Sequence, residues 1–402
     1  MSSGPRIVTV SDHIDCPTGF GVQHRLVATA LARAGFEVHS LGLWDDRPLA
    51  ATPEGLVRYP GGRGAEDHRR AWAMYRELLR PDAVVTLGDA ESFAHLNDAH
   101  RDFAWCHWLP LDAAPYPVRD HERMLRYDHL VLMSRFALAL VRPRLEGRVP
   151  LHRIPHGVDT ATFRPHERPL ALRRRWAARL GVELSPDDFL LLSRDTNQWR
   201  KQTPLLLDAL GRLPQEVKLL LHCRPVAHRA AHGWDLEHLA RAVYGVADRV
   251  IFTGRGRRRP TLTRGELAEL DNAADLRVSA TQGEGFGVVT LEAMACGTPT
   301  VITDCTTSRE LIAGRGPEPL DPYGDAGALV RVAAWTVEQS RSLRRPVANA
   351  ADLAAKVEAL RGDRSRRDRC AEAGLRRVLG AYTAERVGKQ WVALVRSVLR
   401  EA

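Results

Sequence analysis

Two glutamates, Glu284 and Glu292, stand eight positions apart in Gly283-Glu-Gly-Phe-Gly-Val-Val-Thr-Leu-Glu-Ala-Met-Ala-Cys-Gly297. Gly283, Gly285 and Gly287 permit close-approach and left-handed backbone, so the first part is a loop. From Val288 apolar residues recur at helical spacing until Gly297 and Pro299 stop them, which predicts a helix of about two to three turns. A loop that opens into a helix N-terminus offers unpaired amides and a favourable dipole to a phosphate. The two carboxylates would repel a bare phosphate, so their partners are neutral donors such as sugar or ribose hydroxyls. A nucleotide sugar carries both kinds of group. In isolation, a glycine-rich turn before a buried helix with two solvated glutamates accounts for the stretch equally well.

This Glu-x7-Glu arrangement, headed by Glu-Gly-Phe-Gly and followed by Glu-Ala-Met-Ala-Cys-Gly-Thr-Pro, resembles the nucleotide-sugar site of glycosyltransferase family 4. Ile154-Pro-His-Gly-Val-Asp159, Val250-Ile-Phe-Thr-Gly254 and Glu310-Leu-Ile312 resemble further segments of that family, and the likeness extends over nearly the whole chain, most strongly over 189–312. It implies a GT-B fold of α/β class: two facing doubly wound Rossmann-like domains with an interdomain cleft. It also implies retaining transfer with no metal and no cofactor, the nucleotide sugar being a co-substrate. Lys201 matches the family's diphosphate-binding lysine. The usual arginine position is occupied by Thr196, so Arg194 and Arg200 are its substitutes.

On this resemblance the catalytic candidates are His107, Glu284, Lys201 and Arg200. The donor contacts are Gly19, Gly21, Arg194, Lys201, Glu284, Gly285, Phe286, Gly287, Val288 and Glu292. His107 is equally well explained as a structural histidine; a tight turn without a ligand is the alternative for Gly19 and Gly21, and exposed loop positions are the alternative for the cations. Strand ends in doubly wound sheets carry ligand-facing residues, which makes Trp108, Asp112 and, in the first glycine loop, Phe20 the acceptor-side candidates.

The elements that must position these residues follow from pattern. Arg6–Asp12 is a β-branched run, Thr18-Gly-Phe-Gly21 a glycine loop lacking the dinucleotide spacing, and Val22–Ala34 an amphipathic helix before a strand at Glu37–Leu43. Strands follow at 83–87, 103–108 and 129–133. A linker around Pro165–Pro169 separates an N-terminal acceptor domain, 1–168, from a donor domain, 169–380, with strands at 189–193, 217–223, 249–254, 276–280 and 299–303. A last helix, 381–402, is expected to cross back to the first domain. Residues 314–346, with Trp335, exceed the family's usual connection there.

A chain of 402 residues with 44% hydrophobic and 27% charged content supports two globular domains. The net charge of +9 favours an anionic partner, but the arginines are dispersed among clusters such as Arg173–Arg175 and Arg255–Arg259 without interleaved aromatics, which argues against nucleic acid. Six cysteines without paired spacing suggest buried thiols in a reducing compartment, and the polar start leads directly into a strand, as in a cytoplasmic protein. The resulting expectation is hexose transfer from a UDP- or GDP-sugar to a soluble small molecule, as in specialised-metabolite biosynthesis. Membrane association is not favoured, and oligomeric state is left open. The alternatives are a lipid or polysaccharide acceptor, a non-catalytic nucleotide-sugar-binding protein, and hydride transfer on a nucleotide-linked sugar, the last disfavoured by the absent fingerprint.

Overall fold

A computed structural model describes residues 4–401 apart from 45, 97–100, 168, 227–232, 255–260, 314–323 and 339–341. The Arg255–Arg259 run and the start of the 314–346 insertion therefore lie outside the described residues. The chain divides into two compact units: Met1–Leu111 with Pro115–Gly157 and Tyr382–Ala402, and Asp112–Ala114 with Val158–Ala381.

The first unit is built on eight strands, Arg6–Asp12 (β1), Glu37–Leu43 (β2), Ala50–Ala51 (β3), Val57–Pro60 (β4), Ala83–Leu87 (β5), Ala104–Leu109 (β6), His129–Leu132 (β7) and Leu151–Arg153 (β8). Their order is β3-β4-β2-β1-β5-β6-β7-β8, parallel except for β3. β5 and β7 are buried throughout and β6 nearly so, which is why they are continuous apolar runs rather than alternating ones. Val8, Val84, Trp105, Leu130 and Val141 belong to one buried cluster. The C-terminal helix Ala384–Glu401 packs on the helix Gly19–Arg33. Gly388 lies so close that an added Cβ would come 2.7 Å from that of Ala30.

That first helix corrects one expectation. It starts at Gly19, not Val22, because Thr18 is its N-cap: its hydroxyl accepts from the Gly21 amide at 3.0 Å and donates to Asp12 at 2.6 Å. Gly19, Phe20 and Gly21 thus form the first helical turn, and Gly21 is buried against the preceding loop, where a Cβ would lie 2.5 Å from the Cys16 carbonyl.

The second unit holds a six-stranded parallel sheet of Phe189–Ser193 (β9), Val217–Leu221 (β10), Val250–Phe252 (β11), Leu276–Ser279 (β12), Thr300–Thr303 (β13) and Gly327–Val330 (β14), in the order β11-β10-β9-β12-β13-β14. The order reverses at β9, which creates a switch point between β9 and β12. The insertion contributes β14 and a separate antiparallel hairpin, Val332–Glu338 (β15) with Leu343–Ala348 (β16). All six cysteines are free; Cys16 is half-buried and the others buried. Among the described residues no helix is long and apolar enough to cross a membrane.

Candidate functional site

In the second unit the chemistry gathers at the carboxyl ends of β9 and β12. β9 ends at Ser193 and delivers Arg194 and Asp195; a single helical turn, Trp199–Lys201, then presents Arg200 and Lys201. β12 leads into the Thr281–Gly287 loop and the helix Val288–Ala295. Gly287 takes the N-cap place with φ +99° and no capping side chain, so the first-turn amides of this helix have no side-chain acceptor.

Lys201 Nζ donates to Glu284 Oε1 and lies 3.8 Å from Asp195 Oδ1. Burial alone would raise Asp195, but Lys201 and Arg277 hold it below the usual carboxylate range, with Arg277 Nη2 at 3.1 Å. Arg200 Nη1 donates to the Gly283 carbonyl at 2.9 Å and comes within 4.0 Å of both Asp112 and Glu284. The Glu284 amide donates to Thr306 Oγ1 at 3.1 Å, which fixes the loop from its other side. Only glycine fits at 283, where an added Cβ would be 1.9 Å from the Asp112 carbonyl oxygen.

Glu292 sits one layer deeper. Its Oε2 accepts from Arg194 Nη2 at 2.8 Å and its Oε1 from Arg264 Nη2 at 2.9 Å. Arg194 also donates from Nε to Asp271 Oδ1 at 3.1 Å. Complete burial pushes the Asp271 carboxyl up to about 7, an effect that Arg194 offsets only in part and Glu292 reinforces.

Glu284, Lys201, Arg200, Gly285, Phe286, Gly287 and Val288 therefore share one loop-and-helix N-terminus, with Phe286 buried as its anchor and its carbonyl accepting from Thr307 Oγ1 at 2.8 Å. Arg194 departs from expectation. It is an interior cation committed to Asp271 and Glu292, which leaves Arg200 as the partly exposed arginine beside Lys201. Asp112 also differs from an open acceptor contact: Arg345 Nη1 donates to its carbonyl at 2.9 Å and pairs with Oδ1 at 3.0 Å, tying it to β16 and Gly283.

In the first unit two candidates are corrected. His107 and Trp108 lie in the expected strand, β6, but have no exposed surface, because that strand is buried along nearly all of its length. His107 Nδ1 is 2.6 Å from Thr86 Oγ1, its ring stacks on Tyr127 at 4.3 Å, and burial lowers its pKa to about 3. Trp108 donates to the Ile154 carbonyl at 2.9 Å and meets the Trp391 ring at 5.2 Å. Both are packing residues of the sheet. Gly19 and Phe20 remain at least partly exposed at the start of the first helix, whereas Gly21 is buried in it.

Asp195, Arg264, Asp271 and Arg345 escaped the sequence reading. Asp195 was legible in principle, as a carboxylate at a strand end beside two candidate cations. Arg264 and Asp271 carry no local signal, being joined to Glu292 and Arg194 only by folding.

Residues 186–339 match the family model for Glycosyl transferases group 1. The chain is 35% identical over 191 residues to the D-inositol 3-phosphate glycosyltransferase of Xylanimonas cellulosilytica, covering 44% of this chain and 43% of that one. It is 32% identical over 214 residues to the lipopolysaccharide core biosynthesis mannosyltransferase LpsB of Rhizobium meliloti, covering 50% and 54%. These matches span about half the length of the curated relatives. The sucrose-phosphate synthase from Thermosynechococcus elongatus superposes with a TM-score of 0.76 over 99% of this chain and 100% of its own, at 20% identity. That likeness is one of fold, the GT-B class built from two doubly wound α/β units.

Proposed function

We propose that the protein is a retaining, metal-independent glycosyltransferase of family 4 type, moving a hexose-type sugar from a UDP- or GDP-linked donor to a soluble small-molecule acceptor. The observation that carries the reading is the Lys201–Glu284 pair beside the uncapped N-terminus of the helix Val288–Ala295. Cation, carboxylate and the amides of a helix N-terminus without a side-chain cap are the three groups that a diphosphate joined to a sugar needs in one place. The match of residues 186–339 to a glycosyltransferase model covers the same elements and supports it.

In this reading the diphosphate lies against the first-turn amides, and Lys201 with Arg200 stabilises the charge that develops as its bond to the anomeric carbon breaks. Glu284 accepts from hydroxyls of the transferred sugar and Glu292 from those of the ribose. The acceptor oxygen bonds to the anomeric carbon from the side the diphosphate leaves, and its proton passes to a diphosphate oxygen. His107 has no part in this scheme. A soluble acceptor agrees with the inositol phosphate that the Xylanimonas relative is named for, while the lipopolysaccharide core that LpsB is named for favours a lipid-linked saccharide as the second reading.

Thermal unfolding with UDP, GDP, ADP and dTDP, beside Glu292→Ala, tests the donor site. A ligand that binds only the native state at about a hundred times its Kd adds roughly 2.7 kcal/mol of stability. The expected result is a rise in Tm with one base that is weakened in the variant. No rise with any nucleotide would refute the donor site.

A further inference from the structure

Arg194, Asp271 and Arg264 surround Glu292 without a part in the proposed chemistry, and Arg264 is the one at the rim. Arg264 is the first residue of the helix Arg264–Ala273, behind a capping box formed by Thr263 and Glu266. A cation there faces the positive end of the helix dipole, an unfavourable place unless something offsets it. Two contacts do so. Its Nη2 donates to Glu292 Oε1 at 2.9 Å, and its guanidinium lies 4.8 Å from the centre of the buried Phe163 ring.

The two arginines on Glu292 are not equivalent. The Arg194 side chain is 3% exposed and divides its donors between Glu292 and Asp271, whereas the Arg264 side chain is 35% exposed and is given to Glu292 alone among the described carboxylates. Arg194 thus bridges the two interior carboxylates, Asp271 and Glu292, and Arg264 supplies Glu292 with its second guanidinium from the rim. Each oxygen of Glu292 is held by a different guanidinium, which fixes the plane of the carboxylate. With Arg264 removed, Glu292 would keep only Arg194, which Asp271 also engages. A carboxylate that loses its donor in that setting turns or takes up a proton, and either change makes it a poorer acceptor for hydroxyls.

We propose that Arg264 is a positioning residue for the donor nucleoside: by holding Oε1, it keeps the Glu292 carboxylate oriented for the vicinal hydroxyls of a bound ribose. The inference rests on the donor-site reading above and adds to it a residue outside the Glu-x7-Glu motif. Arg264 acts through Glu292, so its removal weakens recognition of the ribose hydroxyls and leaves the rest of nucleotide binding in place.

The test is calorimetric titration of the full chain with UDP and GDP, each beside its 2′,3′-dideoxy analogue, using wild type, Arg264→Gln, Arg264→Lys and Glu292→Gln. Arg264→Gln is expected to weaken the preferred ribonucleotide roughly tenfold, the scale of one charge-assisted hydrogen bond, and to leave the dideoxy analogue unchanged. Arg264→Lys should recover part of the loss, and Glu292→Gln should bring the two analogues to similar affinity. Equal weakening of both analogues by Arg264→Gln would show a merely structural role and overturn the proposal. So would unchanged or tighter ribonucleotide binding, the latter meaning that Arg264 competes with the ribose. Absence of nucleotide binding by the wild type would refute the donor site itself and this inference with it.

Discussion

Two sets of ionisable groups withdrawn from water, one in each unit, are treated in opposite ways. In the first, His24, His95, His107 and His156 lie in surroundings that supply little or no compensating charge, and burial lowers them to about 4, 4, 3 and 3. In the second, Arg194, Asp195, Lys201, Asp271, Arg277 and Glu292 are buried but occupy interlocking ion pairs. Burial without a counter-charge disfavours the charged form of these histidines, whereas the ion pairs fix the second set in place and hold Asp195 low against its own burial. By this standard the second unit carries the poised groups, whereas the His107 side of the first unit is packing.

The largest expected effect separates Lys201 from His107. Lys201→Ala should cut kcat/KM by roughly 10²–10³, the scale for removing one transition-state charge contact. His107→Leu should lower Tm without changing kcat measured well below it. A matching loss of kcat in a folded His107→Leu protein would break the contrast.

Next comes the pH dependence, whose sign differs between the units. Each of the four histidines binds fewer protons in the folded state than at the unfolded value of 6.5, so the first unit should lose stability as pH falls below that value. For His107 or His156 this amounts to about 2 kcal/mol by pH 5. Asp271 is raised to about 7, so the folded state holds its proton where the unfolded state has lost it. Its contribution is therefore fully present at acid pH and is lost as pH rises from the ordinary Asp range through 7. Denaturant melts of wild type and Asp271→Asn across pH 4–8 check this. The variant should lack a component on the order of 4 kcal/mol that declines toward pH 8, and an unaltered profile would place Asp271 outside the titrating set.

A smaller effect sharpens the comparison at the level of backbone. Gly21→Ala brings a Cβ to 2.5 Å from the Cys16 carbonyl and should destabilise the first unit by about 1–3 kcal/mol. Gly283→Ala meets the Asp112 carbonyl at 1.9 Å and should instead reduce nucleotide affinity, because the loop carrying Glu284 must move. Limited proteolysis alongside nucleotide titration separates the two outcomes.

The sheet strands Arg6–Asp12, Glu37–Leu43, Ala83–Leu87 and Phe189–Ser193 and the helix from Val288 were legible because each is decided by short-range pattern: a β-branched or apolar run bounded by breakers, or a glycine loop before a helical period. The hairpin β15–β16 was not, since Ala333–Val337 is exposed and β16 contains Pro346, so neither strand shows the apolar run of its neighbours. The helix start at Gly19 was missed because the Thr18 cap outweighs the glycines that follow it.

Sequence by itself determined which segments could offer phosphate-binding amides, carboxylates and cations, and that Glu284, Lys201 and Glu292 belong to elements of a doubly wound unit. Tertiary structure alone decided what each side chain faces. It turned His107 and Trp108 inward along β6, drew Arg194 away from the loop to Asp271 and Glu292, and brought Arg264 onto Glu292. The physical reason is that periodicity is a property of neighbours in the chain, whereas the protonation, orientation and exposure of an ionisable group depend on charges and packing supplied by residues far away in sequence.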